Sequence, residues 1–77
     1  MAPFPSMKAK QLLAVLMREP LGYRIARQKG SHRRLTAPGR PPILYAFHDR
    51  HTVPPGRVRK ILVDQVGLEE QEALDLL

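Results

Sequence analysis

The chain has 77 residues, no cysteine and a formal net charge of +6. A chain of this length is expected to form one domain at most, with a modest core that is only marginally stable on its own. The lack of cysteine speaks against a disulfide-stapled secreted domain and for a reducing compartment such as the cytoplasm. Residues 1–10 contain no apolar signal-peptide core. No run approaches the ~20 apolar residues of a membrane span, so no membrane partner is expected.

Charge is spread unevenly. Residues 1–63 hold all 13 Lys and Arg and only Glu19 and Asp49 among the acids, a net of +11. Asp64, Glu69, Glu70, Glu72 and Asp75 make the C-terminal end acidic. A cationic body suits a polyanion, because each Lys or Arg that meets a phosphate releases counterions. The plain alternative is a basic domain with no polyanion ligand.

Taken in chain order, residues 1–6 read as a flexible leader with two prolines. Ser6 is a candidate N-cap for a helix over residues 7–18, where Leu12, Leu13, Leu16 and Met17 fall at helical spacing. Pro20 ends it. Tyr23 and Ile25 alternate with Arg24 and Ala26, which predicts a strand through about Gln28. Lys29-Gly30 is a turn signal, and residues 31–37 return as a second strand. Pro38-Gly39 marks the next turn. Ile43, Tyr45 and Phe47 alternate with Leu44, Ala46 and His48 in a third strand, after Pro41-Pro42. Residues 49–54 form a polar loop. Val58, Ile61, Leu62 and Val66 then form the stripe of a second helix, with Gly67 as its stop. Residues 69–77 read as an acidic short helix or tail. This order predicts an α+β fold: three antiparallel strands with helices packed on one face, since each element must bury one apolar side.

The segment richest in chemistry is Arg27-Gln28-Lys29-Gly30-Ser31-His32-Arg33-Arg34. Arg and Lys bind phosphate oxygens, backbone N–H groups near Gly30 approach a phosphate closely, and an imidazole titrates in the range useful for proton transfer.

In these residues the chain resembles the HicA (YcfA-like) toxin family of bacterial toxin–antitoxin modules. Met7-Lys8-Ala9-Lys10-Gln11-Leu12-Leu13 is similar to the family's opening helix. Gly22-Tyr23 followed by Arg27-Gln28-Lys29-Gly30-Ser31-His32 is similar to its first hairpin with the Gly-Ser-His signature. Gly56, Arg59-Lys60-Ile61-Leu62 and Val66-Gly67-Leu68 are similar to its second helix. The resemblance covers residues 7–68, and the ordered set is more specific than Gly-Ser-His alone. It implies a double-stranded-RNA-binding-like α-β-β-β-α fold, mRNA interferase activity, a catalytic His32, and a HicB-like antitoxin that covers the site. The family often has Pro-His where this chain has Phe47-His48.

Each residue also has a duller reading. Without the resemblance, His32 is a surface histidine in a basic hairpin. Ser31 reads as a turn former rather than a nucleophile, because no activating triad is visible. Lys29, Gly30, Ser31, Arg33 and Arg34, with Arg57 and Lys60 on the second helix, are the candidate RNA-binding residues. The same cations also suit a solvated surface. His48-Asp49-Arg50-His51 lies in a loop without cysteine and is a poor metal site, so no metal or other cofactor is expected. Tyr23, Tyr45 and Phe47 read as core.

The mechanism expected is metal-independent RNA cleavage, with His32 taking the proton of a ribose 2′-OH and nearby Arg or Lys stabilising the phosphoryl oxygens. Tyr45, His48 or a lysine would protonate the leaving group. The alternatives are a non-catalytic double-stranded-RNA-type binding module and a subunit that binds an acidic protein.

Overall fold

The computed structural model describes residues 4–77. Strands β2 (Arg24–Lys29), β3 (His32–Ala37) and β4 (Arg40–Tyr45) form an antiparallel sheet in that order. Helix α1 (Ala9–Met17) precedes it and α2 (Pro55–Arg59) follows it. Two-residue strands β1 (Met7–Lys8) and β5 (Thr52–Val53) pair beside the N-terminus of α1. The fold is α+β, with the expected helix–three strands–helix order.

Helix α1 starts two residues later than its spacing suggests. Residues 7–8 are extended in β1, so Ser6 is not the cap. The N-cap is Lys8, whose backbone N–H donates to Gln11 Oε1 at 3.3 Å. The first free N–H groups of the helix, from Ala9 and Lys10, donate to the carbonyls of His51 (2.8 Å) and Asp49 (3.2 Å). The polar 48–51 loop therefore satisfies donors that a helix end leaves unpaired.

One sheet face is buried and the other is open. Leu35 and Ala37 of β3 and Ile43 and Tyr45 of β4 point into the core with Leu12, Leu16, Val58 and Leu62 from the helices. Fully burying a side chain of this size contributes about 1.5–3 kcal/mol. Tyr45 is fully buried, and its hydroxyl donates to Ala9 O at 2.6 Å, tying the sheet to the start of α1. Burial pushes its phenol up to about 12; the charge of Arg33 opposes this shift and that of Asp49 adds to it. Tyr23 donates to Pro41 O at 2.8 Å, and its phenol is likewise raised by burial, with Arg40 opposing.

Strand β4 begins earlier than the alternation of residues 43–48 suggests, and takes in Pro41-Pro42. Pairing shifts register between Leu35 and Ala37, so the two prolines sit at an irregularity where a missing N–H costs little. Residues 46–48 leave the strand.

The second helix does not remain regular. After Arg59 it continues as a π-helical turn, Lys60–Gln65, closed by Val66 N–H to Ile61 O at 2.9 Å. Gly67 follows at φ +91°, the left-handed region in which a Cβ is unfavourable, and stops the helix as its position suggests.

A third helix, α3 (Glu70–Asp75), buries Ala73 and is held to α2 by the Arg59–Glu70 ion pair at 3.0 Å. Of the leader read over residues 1–6, residues 1–3 lie outside the described residues. Phe4 is buried in the core.

Candidate nucleic-acid interface

The hairpin of β2 and β3 closes through Gly30 and Ser31, between the directly paired Lys29 and His32. Gly30 has φ +61°, and its carbonyl accepts from Gln28 Nε2 at 3.1 Å. A positive-φ glycine first and an L-residue second is the pattern of the type II′ turn, whose twist matches that of paired strands.

Directly paired residues share a sheet face. Lys29 pairs with His32, Arg27 with Arg34, and Arg24 with Thr36; Ile25 pairs with buried Leu35, and Gln28 with Arg33. Simple alternation from Ile25 would send Arg27 and Lys29 inward. The register shift between Ile25 and Arg27 adds one residue to β2, Ala26, and reverses that parity. Arg27 and Lys29 consequently join Arg24, His32 and Arg34 on the open face. Every residue of β2 is exposed.

Arg27, Lys29, His32 and Arg34 line one shallow depression with Gln28 and Leu44. Among the described residues no carboxylate lines it. Leu44 pairs with Arg34 across β3 and β4 and is 68% exposed.

Arg33 lies on the other face. It pairs with Tyr45, its side chain is 13% exposed, and its Nη1 lies 3.1 Å from Asp49 Oδ1. Among the described residues, neither Nε nor Nη1 of Arg33 has a well-aligned hydrogen bond, so the link to Asp49 is a pairing of charges. The two consecutive arginines, grouped together by sequence, thus occupy different surroundings. Gly30 and Ser31 line a separate hollow with Arg33, His48, Asp49 and Arg50.

Arg57 and Lys60 are also apart from His32. They border a cleft between the helix and residues 44–47, and Leu44 is common to this cleft and the His32 depression. Among the acids considered for the leaving group, Tyr45 points into the core and His48 borders the separate hollow, whereas Lys29 shares the face of His32. Phe47 stacks on His51 at 5.5 Å, with 27° between the ring planes. Among the described residues no three His, Cys, Asp or Glu side chains converge as metal ligands, and no helix is long and apolar enough to cross a membrane.

Spacing reveals neither the contribution of Leu44 nor the placement of Arg27 and Lys29 on the face of His32. The bulge at Ala26 has no sequence signal, and Leu44 looks like any residue of an alternating strand.

Fold and surface together define a small α+β domain with one imidazole on an open, cationic sheet face. The family model described as HicA toxin of bacterial toxin-antitoxin matches residues 9–68. The chain belongs to the HicA toxin family and is a toxin of a toxin–antitoxin module. No curated protein and no solved structure matches it significantly.

Proposed function

We propose that this toxin binds mRNA on the open sheet face and cleaves it with His32 as general base. The carrying observation is that His32 stands beside Lys29, Arg27 and Arg34 in a depression without a carboxylate among the described residues. The imidazole accepts the proton of a ribose 2′-OH. The 2′-oxygen then forms a bond to the adjacent phosphorus as the P–O5′ bond breaks, leaving a 2′,3′-cyclic phosphate. Lys29 supplies the proton that O5′ takes up. Arg27 and Arg34 stabilise the extra negative charge on the phosphoryl oxygens. Backbone N–H groups of the Gly30-Ser31 turn, and Arg57 and Lys60 on the second helix, hold flanking phosphates. The route needs no metal, and DNA, which lacks the 2′-OH, stays intact.

The antitoxin of the module is a HicB-like protein that covers this face and competes with RNA for the same cations. Opposite charge speeds its association at low salt.

The test is His32→Ala, whose exposed side chain leaves the core untouched. Loss of RNA cleavage by about 10²–10⁴-fold is expected, as for removal of a general base. RNA affinity and the circular dichroism spectrum should persist. A folded His32→Ala protein that cleaves at the wild-type rate refutes the mechanism. Wild-type protein that binds RNA without cleaving it supports the non-catalytic binding module.

A further inference from the structure

The cleft beside the second helix has a chemistry that phosphate binding alone does not require. It encloses about 250 Å³; Leu44, Phe47 and Ile61 provide apolar wall, while Arg57, Lys60 and Gln65 provide polar wall. Pure phosphate binding needs only the cations. Leu44 stands out further, being 68% exposed with no part in the core.

The π-helical turn contributes to this arrangement. Residues three or four apart share a face of a regular α-helix. The wider turn brings Lys60 and Gln65, five apart, to one cleft. Such local widenings recur where a helix serves a site.

We propose that this cleft is a nucleobase subsite for single-stranded RNA. Leu44, Phe47 and Ile61 receive the face of one unstacked base, Gln65 reads its edge, and Arg57 and Lys60 bind its phosphate. The inference rests on the RNA reading above and names the form of RNA recognised. In a duplex the base faces are stacked away, and recognition runs through phosphates and 2′-hydroxyls across a shallow groove. An apolar wall has nothing to meet there; a splayed base of a single strand does present a face. The space is smaller than the ~300–1,000 Å³ of clefts for drug-sized ligands, which suits one base. The Gln65 amide offers both donor and acceptor, so it distinguishes base edges as cations alone do not. Leu44 borders the His32 depression as well, so the base held here belongs to a nucleotide next to the bond under attack.

The test uses 2′-O-methyl single strands, which cannot be cleaved through the 2′-oxygen, and an unmodified RNA duplex, which keeps the 2′-hydroxyls that duplex recognition uses and whose regular backbone disfavours in-line attack. Fluorescence anisotropy at fixed salt compares a mixed-sequence 12-mer single strand with the blunt duplex of the same sequence, and A, C and U homo-oligomers with one another. The proteins are wild type, Leu44→Ser and Gln65→Ala, each checked for folding by circular dichroism; both side chains are exposed. Wild type should prefer the single strand about tenfold, and Leu44→Ser should weaken single-strand binding about five- to tenfold while changing duplex binding less than about twofold, within the range of one stacked base. Gln65→Ala should flatten a wild-type preference among the homo-oligomers. Equal wild-type affinity for strand and duplex overturns the subsite alone. So does an unchanged single-strand affinity in Leu44→Ser, which would leave the cleft to an apolar side chain of the antitoxin, or an unchanged base preference in Gln65→Ala. Wild-type protein that binds neither form removes the RNA reading and the subsite together.

Discussion

Replacing Arg34 with Ala and, separately, Arg33 with Ala tests the division of the hairpin into two faces. Arg34 is exposed beside His32, whereas the Arg33 side chain is 13% exposed and paired with Asp49. If Arg34 meets a phosphate, its removal lowers the slope of log K against log salt by about 0.7–0.9, or about threefold in affinity change between 50 and 200 mM salt. Its effect on stability should be within about 0.5 kcal/mol. Arg33→Ala should do the reverse. Breaking a fully buried ion pair costs about 3–5 kcal/mol, and an exposed pair about 0–1 kcal/mol. Asp49 is 49% exposed and rehydrates when its partner leaves, so the loss lies between, at about 1–3 kcal/mol with the packing of the Arg33 stem included. For a domain of this size that is a fall in Tm of roughly 5–20 °C. Anisotropy titrations of a 2′-O-methyl strand across that salt range, with thermal melts at the same salts, read both effects. A salt slope lowered equally by the two changes, with the Arg33→Ala melting temperature unmoved, would refute the assignment of faces.

Two further outcomes follow from the turn and the core. Gly30 holds φ +61°, and a Cβ there meets open space. Gly30→Ala should therefore cost about 1–2 kcal/mol through backbone conformation alone, visible as a lower Tm by circular dichroism, with Gly30→Asn losing less; an unchanged Tm for Gly30→Ala would contradict the turn geometry. Tyr45 is raised from 10.0 to about 12. Unfolded chains ionise this phenol from about pH 10, so its contribution to stability is intact below that pH and falls by about 3 kcal/mol as pH rises through 12. Tyr45→Phe lacks this decline, although it loses the hydroxyl's bond to the Ala9 carbonyl at neutral pH at a cost of about 0.5–1.5 kcal/mol. Denaturant unfolding from pH 8 to 11.5 should show the gap between the two proteins closing. A constant gap would place the hydroxyl in water.

Sequence alone determines the main helices and strands and their order, though not the short β1–β5 pair, whose residues read as helix and loop. Leu12, Leu16, Val58 and Leu62 repeat at helical intervals, Gly30 and Gly39 separate strands, and proline ends the first helix. Each of these signals acts within a few residues. The Gly30-Ser31-His32 turn and the charge asymmetry are equally legible, and so is the family. What tertiary structure alone decides is which side chains share a surface. A strand flips its faces when one residue is added, so the bulge at Ala26 moves Arg27 and Lys29 to the side of His32, although simple alternation directs them inward. Arg33 pairs with Asp49, 16 positions away, and the 48–51 loop caps a helix some 40 residues earlier in the chain. Leu44 meets Arg57 and Lys60 only because β4 lies against the second helix. Helix, turn and strand are written in local chemistry; the site depends on register and packing between segments far apart in the chain, which local spacing does not encode.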